Sequence, residues 1–355
     1  MQSKINLLHL ITGLGCGGAE KMVYQLCKYA NRDRFNIYVV SLGAKTDNFV
    51  PLIESLQVKV YTLNMQKSLM SFLSTLNEIN KILKQEKINL IHAHLFHAMT
   101  IGCMMKIFNK KVQLVWTSHI DKFTSMIKSL ISFLFKSVRD NDILLQEHFN
   151  QWYTCSNYSI IHNFVDLPSS DLKFKKFDDF TFITVGRLEI QKNYESLIEA
   201  FSTNEFNAKL LIVGVGTLFN KLKNKIDELE LSNKIILLGE RTDIYRLMLK
   251  SHCYILSSRW EGFPLVLLEA GSVQLPILAT KINATKNIIN ETMGTLIELE
   301  DLSAGMDKVS NNYEVSIKLA DNFHQKILKD FSRVSCLQKH ETLYRKLLTL
   351  NESLY

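Results

Sequence analysis

No stretch of this 355-residue chain comes near the run of about 18 apolar residues that a membrane-spanning helix requires, so none is expected. The first residues, MQSKINLLHLIT, have no charged start, long apolar middle or cleavage site. No secretory leader is read there, and a cytoplasmic setting is expected. The six cysteines, at positions 16, 27, 103, 155, 253 and 336, form no C-x-x-C pair. That excludes a disulfide framework and points to reduced thiols. Low-complexity tracts and short repeats are absent, and a hydrophobic share of 46% excludes a disordered chain. Proline is scarce, with four in the chain (51, 168, 264 and 276), and one of them falls inside the motif richest in chemistry.

What is present starts with length and charge. The chain exceeds what one hydrophobic core usually supports, so two domains are expected. The 42 Lys and Arg outnumber the 35 Asp and Glu, for a net charge of +7. Such an excess suits nucleic acid, a membrane surface or anionic substrates. Its distribution is uneven: residues 1–165 hold 18 basic and 10 acidic side chains, and the remainder 24 and 25. The basic residues are spread over many elements with no aromatic-basic RNA motif, so no nucleic-acid partner is expected.

Short apolar runs alternate with helical patterns in both halves. The first half has runs at Ile5–Ile11, Asn36–Leu42, Val58–Leu63, Ile88–His92 and Val112–Thr117. The second has Phe180–Val185, Lys209–Val213 followed by a Gly-x-Gly turn, Ile235–Leu238, Cys253–Ser257 and Ile277–Thr280. This rhythm predicts βαβ units on parallel sheets. The fold class is therefore α/β, as two doubly wound Rossmann-like domains facing a cleft, at 1–165 and 166–330. A linker is read over Asn163–Asp179. Ligands on such sheets bind beyond the carboxyl ends of the strands, so the loops there carry the interest.

Three motifs invite a reading and are set aside. Gly13-Leu14-Gly15-Cys16-Gly17-Gly18 matches G-x-G-x-x-G between a strand and a helix. The strand at Asn36–Leu42 lacks the acid that would hold a dinucleotide ribose, so a phosphate- or sugar-approach loop is preferred over an NAD(P) site. His92, His94 and His97 suggest a metal, but they span a strand end and a loop where the side chains should diverge, and local packing is expected. Asp140-Asn141-Asp142 follows a helical stretch in a basic segment and reads as a solvated turn. No metal site is expected.

The informative stretch is Cys253–Pro276. A strand delivers Glu261, and Gly262-Phe263-Pro264 lead into a helix that carries Glu269. Proline is tolerated at a helix start, where its missing N–H costs nothing. Free N–H groups at Phe263, Leu265 and Val266 suit hydroxyl or phosphate oxygens. A carboxylate such as Glu261 accepts from vicinal hydroxyls, while Glu269, on a mostly apolar helix, either meets a second part of the ligand or pairs locally. The second piece is Gly186-Arg187…Lys192-Asn193, also between a strand and a helix. Arg187 offers a fixed fork and Lys192 a mobile charge, which together neutralise a diphosphate.

These motifs, with Gly17-Gly18-Ala19-Glu20, Ile91-His92-Ala93-His94 and Asn163-Phe-Val-Asp166, make residues 1–350 resemble the retaining glycosyltransferases of the GT-B fold, in the large E-x7-E family (family 4, group 1). The resemblance implies that Arg187 and Lys192 bind the donor diphosphate. It gives Glu261 the hydroxyls of the transferred sugar, Glu269 the nucleotide ribose, and the Phe263-Pro264-Leu265 backbone the sugar or phosphate. His119 matches a histidine that reaches the donor sugar, and Gly17 and Gly18 would close on diphosphate and acceptor. Glu261 and His119 are thus the catalytic candidates. Residues 331–355 look like a final helix crossing back to the first domain. One departure is Lys281-Ile-Asn-Ala-Thr285, where the family has a second Gly-Gly loop.

The implied function is transfer of a hexose or N-acetylhexosamine from a nucleotide-sugar, by preference UDP-linked, to a polyprenyl-linked or surface-glycan acceptor in bacterial polysaccharide, lipopolysaccharide or capsule assembly. No cofactor is expected, the nucleotide-sugar being a substrate. A non-catalytic glycan-binding subunit and an NAD(P) enzyme are the rival readings. Met126, Ile127, Leu130, Ile131 and Leu134 form one helical stripe flanked by Lys122, Lys128 and Lys136. That stripe suits either peripheral contact with an anionic membrane or packing on the core.

Overall fold

The computed structural model describes residues 4–15, 17–120, 122–167, 174–203 and 207–352. Cys16, Pro168 and the middle of the expected linker lie outside the described residues. The chain forms two compact units, Met1–Asn163 with Val334–Tyr355, and Phe164–Arg333.

The first unit runs β1 (Ile5–Ile11), α1 (Gly18–Tyr29), β2 (Phe35–Ser41), α2 (Phe49–Glu54), β3 (Lys59–Thr62), α3 (Leu69–Gln85), β4 (Leu90–His94), α4 (Phe96–Phe108), β5 (Gln113–Ser118), α5 (Met126–Leu134), β6 (Asn141–Leu144) and β7 (Tyr158–Ile160). Its seven strands, all parallel, lie in the order β3-β2-β1-β4-β5-β6-β7. The order reverses between β1 and β4, where Leu7–Ile11 pair with Leu90–His94. Strands covered on both faces need apolar residues at successive positions, and β4 and β5 are buried throughout.

The second unit contains β8 (Phe180–Val185), α6 (Tyr194–Ser202), β9 (Ala208–Val213), α7 (Phe219–Glu228), β10 (Ile235–Gly239), α8 (Ile244–Lys250), β11 (Cys253–Leu256), α9 (Leu265–Ser272), β12 (Ile277–Thr280), α10 (Asn283–Lys286), β13 (Thr295–Ile297), α11 (Leu302–Asn311) and α12 (Tyr313–Asp330). Its parallel sheet has the order β10-β9-β8-β11-β12-β13, with the reversal between β8 and β11. The last helix, α13 (Arg333–Glu352), buries Leu343, Tyr344 and Leu347 in the first unit's core beside Leu7, Ile11 and Val23. Both sheets have the doubly wound architecture expected from the sequence.

Two sequence expectations need correction here. Asp140-Asn141-Asp142 is not a solvated turn. Asn141 and Asp142 begin β6, and Asp142 is buried in a bidentate pair with Arg139, at 2.7 and 2.9 Å. Asp142 also accepts the Cys155 N–H at 2.7 Å, while Asp140 pairs with Lys106. These carboxylates are bound up in structure and point to no cation. The side chains of His92 and His94 do not diverge either. Both lie in β4, where i and i+2 share a face, and their rings are 4.0 Å apart. The five described cysteines are buried and free.

Candidate active site

In the second unit the loops after β8 and β11 flank the reversal of strand order, and they carry the charged motifs found in the sequence. The loop after β8 is held by backbone hydrogen bonds and by the Glu189 carboxylate, which accepts from the Thr217 N–H (3.2 Å) and hydroxyl (2.9 Å). Gly186 N–H donates to Val213 O (3.0 Å), Leu188 N–H to Val215 O (2.9 Å), and Leu218 N–H to Leu188 O (3.0 Å). The Gly-x-Gly turn makes this approach feasible. A Cβ on Gly214 would sit 2.0 Å from Gly186 O at a φ of +142°, and one on Gly216 would sit 2.5 Å from Leu188 N. The Arg187 side chain stands exposed on this loop, with no hydrogen bond or ion pair among the described residues.

Lys192 is not the mobile charge that its sequence position suggested. Its Nζ lies 2.6 Å from Glu261 Oε1, and both side chains are largely covered. Ser258 Oγ donates to the same oxygen (2.5 Å), and Gln191 Nε2 donates to Glu261 Oε2 (3.1 Å) and to Trp260 O (2.8 Å). Ser257 Oγ donates to Lys192 O, and Thr280 Oγ1 to Ser258 O. Glu261 therefore enters any reaction as a positioned anion with one face of Oε2 left to accept. Gln191, Ser257 and Ser258 went unnoticed in the sequence, since polar residues beside a charged motif carry no pattern of their own.

The backbone of the Glu261 loop is a donor surface. The first bond of α9 runs from Leu267 N–H to Pro264 O, and Pro264 occupies the N-cap. Among the described residues the N–H groups of Gly262, Phe263, Leu265 and Val266 have no acceptor in the protein, so the first turn can take an anion or hydroxyls. Phe263 packs edge-on to Phe331, which fixes the loop from behind. Glu269 lies on the next turns of α9, only 4% exposed. The Tyr254 hydroxyl, buried and unpartnered among the described residues, is held strongly protonated by burial and by Tyr194, Glu261 and Glu269 near it.

In the first unit the corresponding place is the carboxyl end of β1, β4 and β5. Gly17 is the N-cap of α1, and Gly17 and Gly18 are exposed. A Cβ on Gly17 would meet Glu20 Oε2 at 2.4 Å. Asp47 braces the turn before it by accepting the Leu14 N–H at 2.8 Å. His119, just past β5, borders a cavity of about 190 Å³ lined also by Thr12, Phe96, His97, Ser118 and Lys128. Leu95, between β4 and α4, has a φ of +70°, strained for a leucine, at the rim of this cavity. His119 Nε2 is 3.2 Å from His94 Nδ1, and burial pushes the His119 imidazolium down to about 3, so the ring is neutral at pH 7.

The apolar stripe expected near residue 130 is α5, and it faces outward. Met126, Ile127, Leu130, Phe133 and Leu134 are exposed, Met126 by 76% and Ile127 by 72%, while Ser129 and Ser132 are the buried positions. The ring of Trp152, itself exposed, lies tilted beside Phe133 with centroids 5.3 Å apart. Ile131, the fifth residue of the stripe read from the sequence, is half-buried, and the other four face solvent.

Comparison with known proteins agrees with these features. Residues 16–167 match the model of Glycosyltransferase Family 4, and residues 170–329 match that of Glycosyl transferases group 1. The chain is 28% identical over 381 residues to the UDP-Gal:alpha-D-GlcNAc-diphosphoundecaprenol alpha-1,3-galactosyltransferase of Escherichia coli, covering 96% of this chain and 97% of that one. It is 26% identical to an N-acetylgalactosamine-N,N'-diacetylbacillosaminyl-diphospho-undecaprenol 4-alpha-N-acetylgalactosaminyltransferase of Campylobacter jejuni, covering 82% and 85%. Among solved structures, HepE of Anabaena in complex with UDP and glucose superposes with a TM-score of 0.85 at 20% identity, covering 97% of this chain and all of that one.

Proposed function

Because the chain belongs to the glycosyltransferases, its first half to Family 4 and its second to group 1, we propose that it moves a hexose or N-acetylhexosamine from a UDP-sugar to a polyprenyl-diphosphate-linked or surface-glycan acceptor, with retention at the anomeric carbon, in assembly of a bacterial surface polysaccharide. The observation that carries this reading is the cluster at the β8–β11 reversal: exposed Arg187, the Lys192–Glu261 pair, and the unpartnered N–H groups of the 262–266 loop. Doubly wound sheets bind nucleotides at that position.

In this reading Arg187 grips the diphosphate with its fork, and Lys192 contributes charge from a fixed position. As the glycosidic bond to phosphate breaks, negative charge grows on the leaving oxygen and positive charge on the sugar carbon. Arg187 and the loop N–H groups meet the first, and the Glu261 carboxylate meets the second while accepting from a sugar hydroxyl. The acceptor hydroxyl attacks from the face the phosphate leaves, and its proton passes to the phosphate oxygen. Glu269 serves the ribose, Phe263-Pro264-Leu265 the sugar and phosphate, His119 the sugar, and Gly17 and Gly18 the diphosphate and acceptor. The reading needs no metal and no cofactor. The galactosyl- and N-acetylgalactosaminyltransferases above are named for diphosphoundecaprenol acceptors, and HepE was solved with UDP. A lipid acceptor also accounts for α5, whose exposed apolar face and flanking Lys122, Lys128 and Lys136 suit the anionic face of a membrane.

A thermal-shift panel of UDP, GDP, ADP and their sugars tests the donor. UDP and at least one UDP-sugar should raise the melting temperature at millimolar concentration, and Arg187→Ala should lose most of that shift. Flat responses to every nucleotide, or a response to GDP alone, would overturn the donor assignment.

A further inference from the structure

Three histidines of the first unit form one hydrogen-bonded line. His9 Nδ1 lies 3.1 Å from His94 Nε2, and His94 Nδ1 lies 3.2 Å from His119 Nε2. They come from the middle of β1, the last residue of β4 and the residue after β5. His9 and His94 are fully covered, whereas His119 is half-buried on the lining of the 190 Å³ cavity. His119 is the member of the line that borders this cavity. Burial depresses all three, His9 and His119 down to about 3, so the rings are neutral at pH 7.

A neutral imidazole has one N–H, and so donates at one nitrogen and accepts at the other. With its proton on Nδ1, His94 donates to His119 Nε2 and accepts from His9 Nδ1–H, and His119 carries its own proton on Nδ1. With its proton on Nε2, His94 donates to His9 Nδ1 and accepts from His119 Nε2–H, and His119 Nδ1 is a bare lone pair. No other arrangement of neutral rings satisfies both contacts. All three rings must therefore share a single tautomer.

We propose that His94, and His9 through it, are positioning residues that fix the tautomer of His119 and thereby decide whether its second nitrogen donates to or accepts from the ligand. The inference rests on the reading of His119 as a sugar-contacting group. A ring locked in one tautomer presents one polarity without reorganising as the ligand arrives. The same cluster has the makings of a cation site, since ligand atoms of His9, His92 and His94 lie within 4.8 Å of one another. His92, however, is committed at both nitrogens, Nδ1 to the Tyr344 hydroxyl at 2.8 Å and Nε2 to Thr117 Oγ1 at 2.7 Å. The line is accordingly held by protons.

Long-range proton–nitrogen correlation spectra of the labelled full-length protein at pH 7.5 read each tautomer directly, with or without transfer activity. His9, His94 and His119 should all carry the proton on the same nitrogen. Opposite tautomers, or an imidazolium among them, would overturn the proposal. One equivalent of Zn²⁺ should leave the three signals in place, and a stoichiometric shift of His9 and His94 would make the cluster a metal site instead. Kinetics give a second readout. His9→Leu touches no substrate, yet it should lower kcat about tenfold with little change in donor KM, and less than twofold when His119 is already alanine. Equal losses in both backgrounds would reduce His9 to a packing role and sink the idea. The wild-type spectrum decides the matter even where His9→Leu does not fold.

Discussion

At the scale of single residues, two cations that look alike in sequence differ in what surrounds them. The Arg187 side chain is exposed and without a protein partner among the described residues, whereas Lys192 is tied to a carboxylate that also holds Ser258 and Gln191. Arg187→Ala should change folding stability by no more than about 0.5 kcal/mol, as surface substitutions do. Lys192→Met leaves the nearly buried Glu261 anion without its counter-ion, and removing one partner of such a pair costs about 3 kcal/mol. Urea unfolding of the two variants beside their transfer rates separates the roles. Arg187→Ala should lose activity with stability intact, and Lys192→Met should lose both. Equal stability of the two would mean that the pair contributes nothing to the fold. The sequence revealed the charged types and their spacing here, because a loop after a strand is a readable context. It could not reveal the pairing, which joins loops 69 residues apart.

Among the elements, the strands built on an apolar run were legible and those without one were not. β1, β8 and β12 have the bounds that their apolar runs predict. β6, β7 and β13 span four, three and three residues and include Asn141, Asp142 and Ser159, so no apolar run marks them. Strand β4 holds the more instructive case. Its histidines meet His9 of β1 and, from α13, His340 and Tyr344, in a layer where an apolar core would be the default. Burial depresses His9 to about 3 and His340 to about 4, and holds His92 and His94 well below the usual range. In the unfolded chain each titrates near 6.5. Below that pH the unfolded state binds protons that the folded state refuses, so stability falls as pH falls, and it is insensitive to these groups above about pH 7.5. The slope is about 1.4 kcal/mol per pH unit for each buried histidine until its folded value is reached, near 4 for His340 and near 3 for His9. Guanidinium unfolding at pH 7.5 and 5.5 should give a markedly lower free energy at the lower pH, and His340→Phe should flatten the dependence by one proton. A free energy equal at the two pH values would show that the rings are hydrated rather than enclosed.

For the molecule as a whole, the charge belongs to one unit. With α13 assigned where it packs, the first unit carries 21 Lys and Arg against 12 Asp and Glu, and the second 21 against 23. The basic unit is also the one that displays α5, nine residues long, with its serines turned inward and its large apolar side chains outward. Sequence alone left this helix balanced between core and surface, because a stripe of apolar residues looks the same whichever way it faces. The inverted burial settles the direction, and an exposed apolar face ringed by lysines is costly in water unless something covers it. The proposed membrane contact then divides into two parts with different signatures. The lysines supply attraction of about 1 kcal/mol each near an anionic surface, lost as salt shortens the screening distance. The apolar side chains supply a salt-independent part proportional to the area they bury. The full-length protein should therefore sediment with vesicles containing phosphatidylglycerol at low salt, retain part of that binding at 0.5 M NaCl, and bind neutral vesicles weakly. Replacing Ile127 and Leu130 by serine should abolish the salt-resistant fraction while leaving transfer to a short, water-soluble acceptor analogue unchanged, since neither side chain lines the His119 cavity. Absence of binding to anionic vesicles at low salt would remove the membrane from the account of α5 and leave the donor chemistry of the second unit standing.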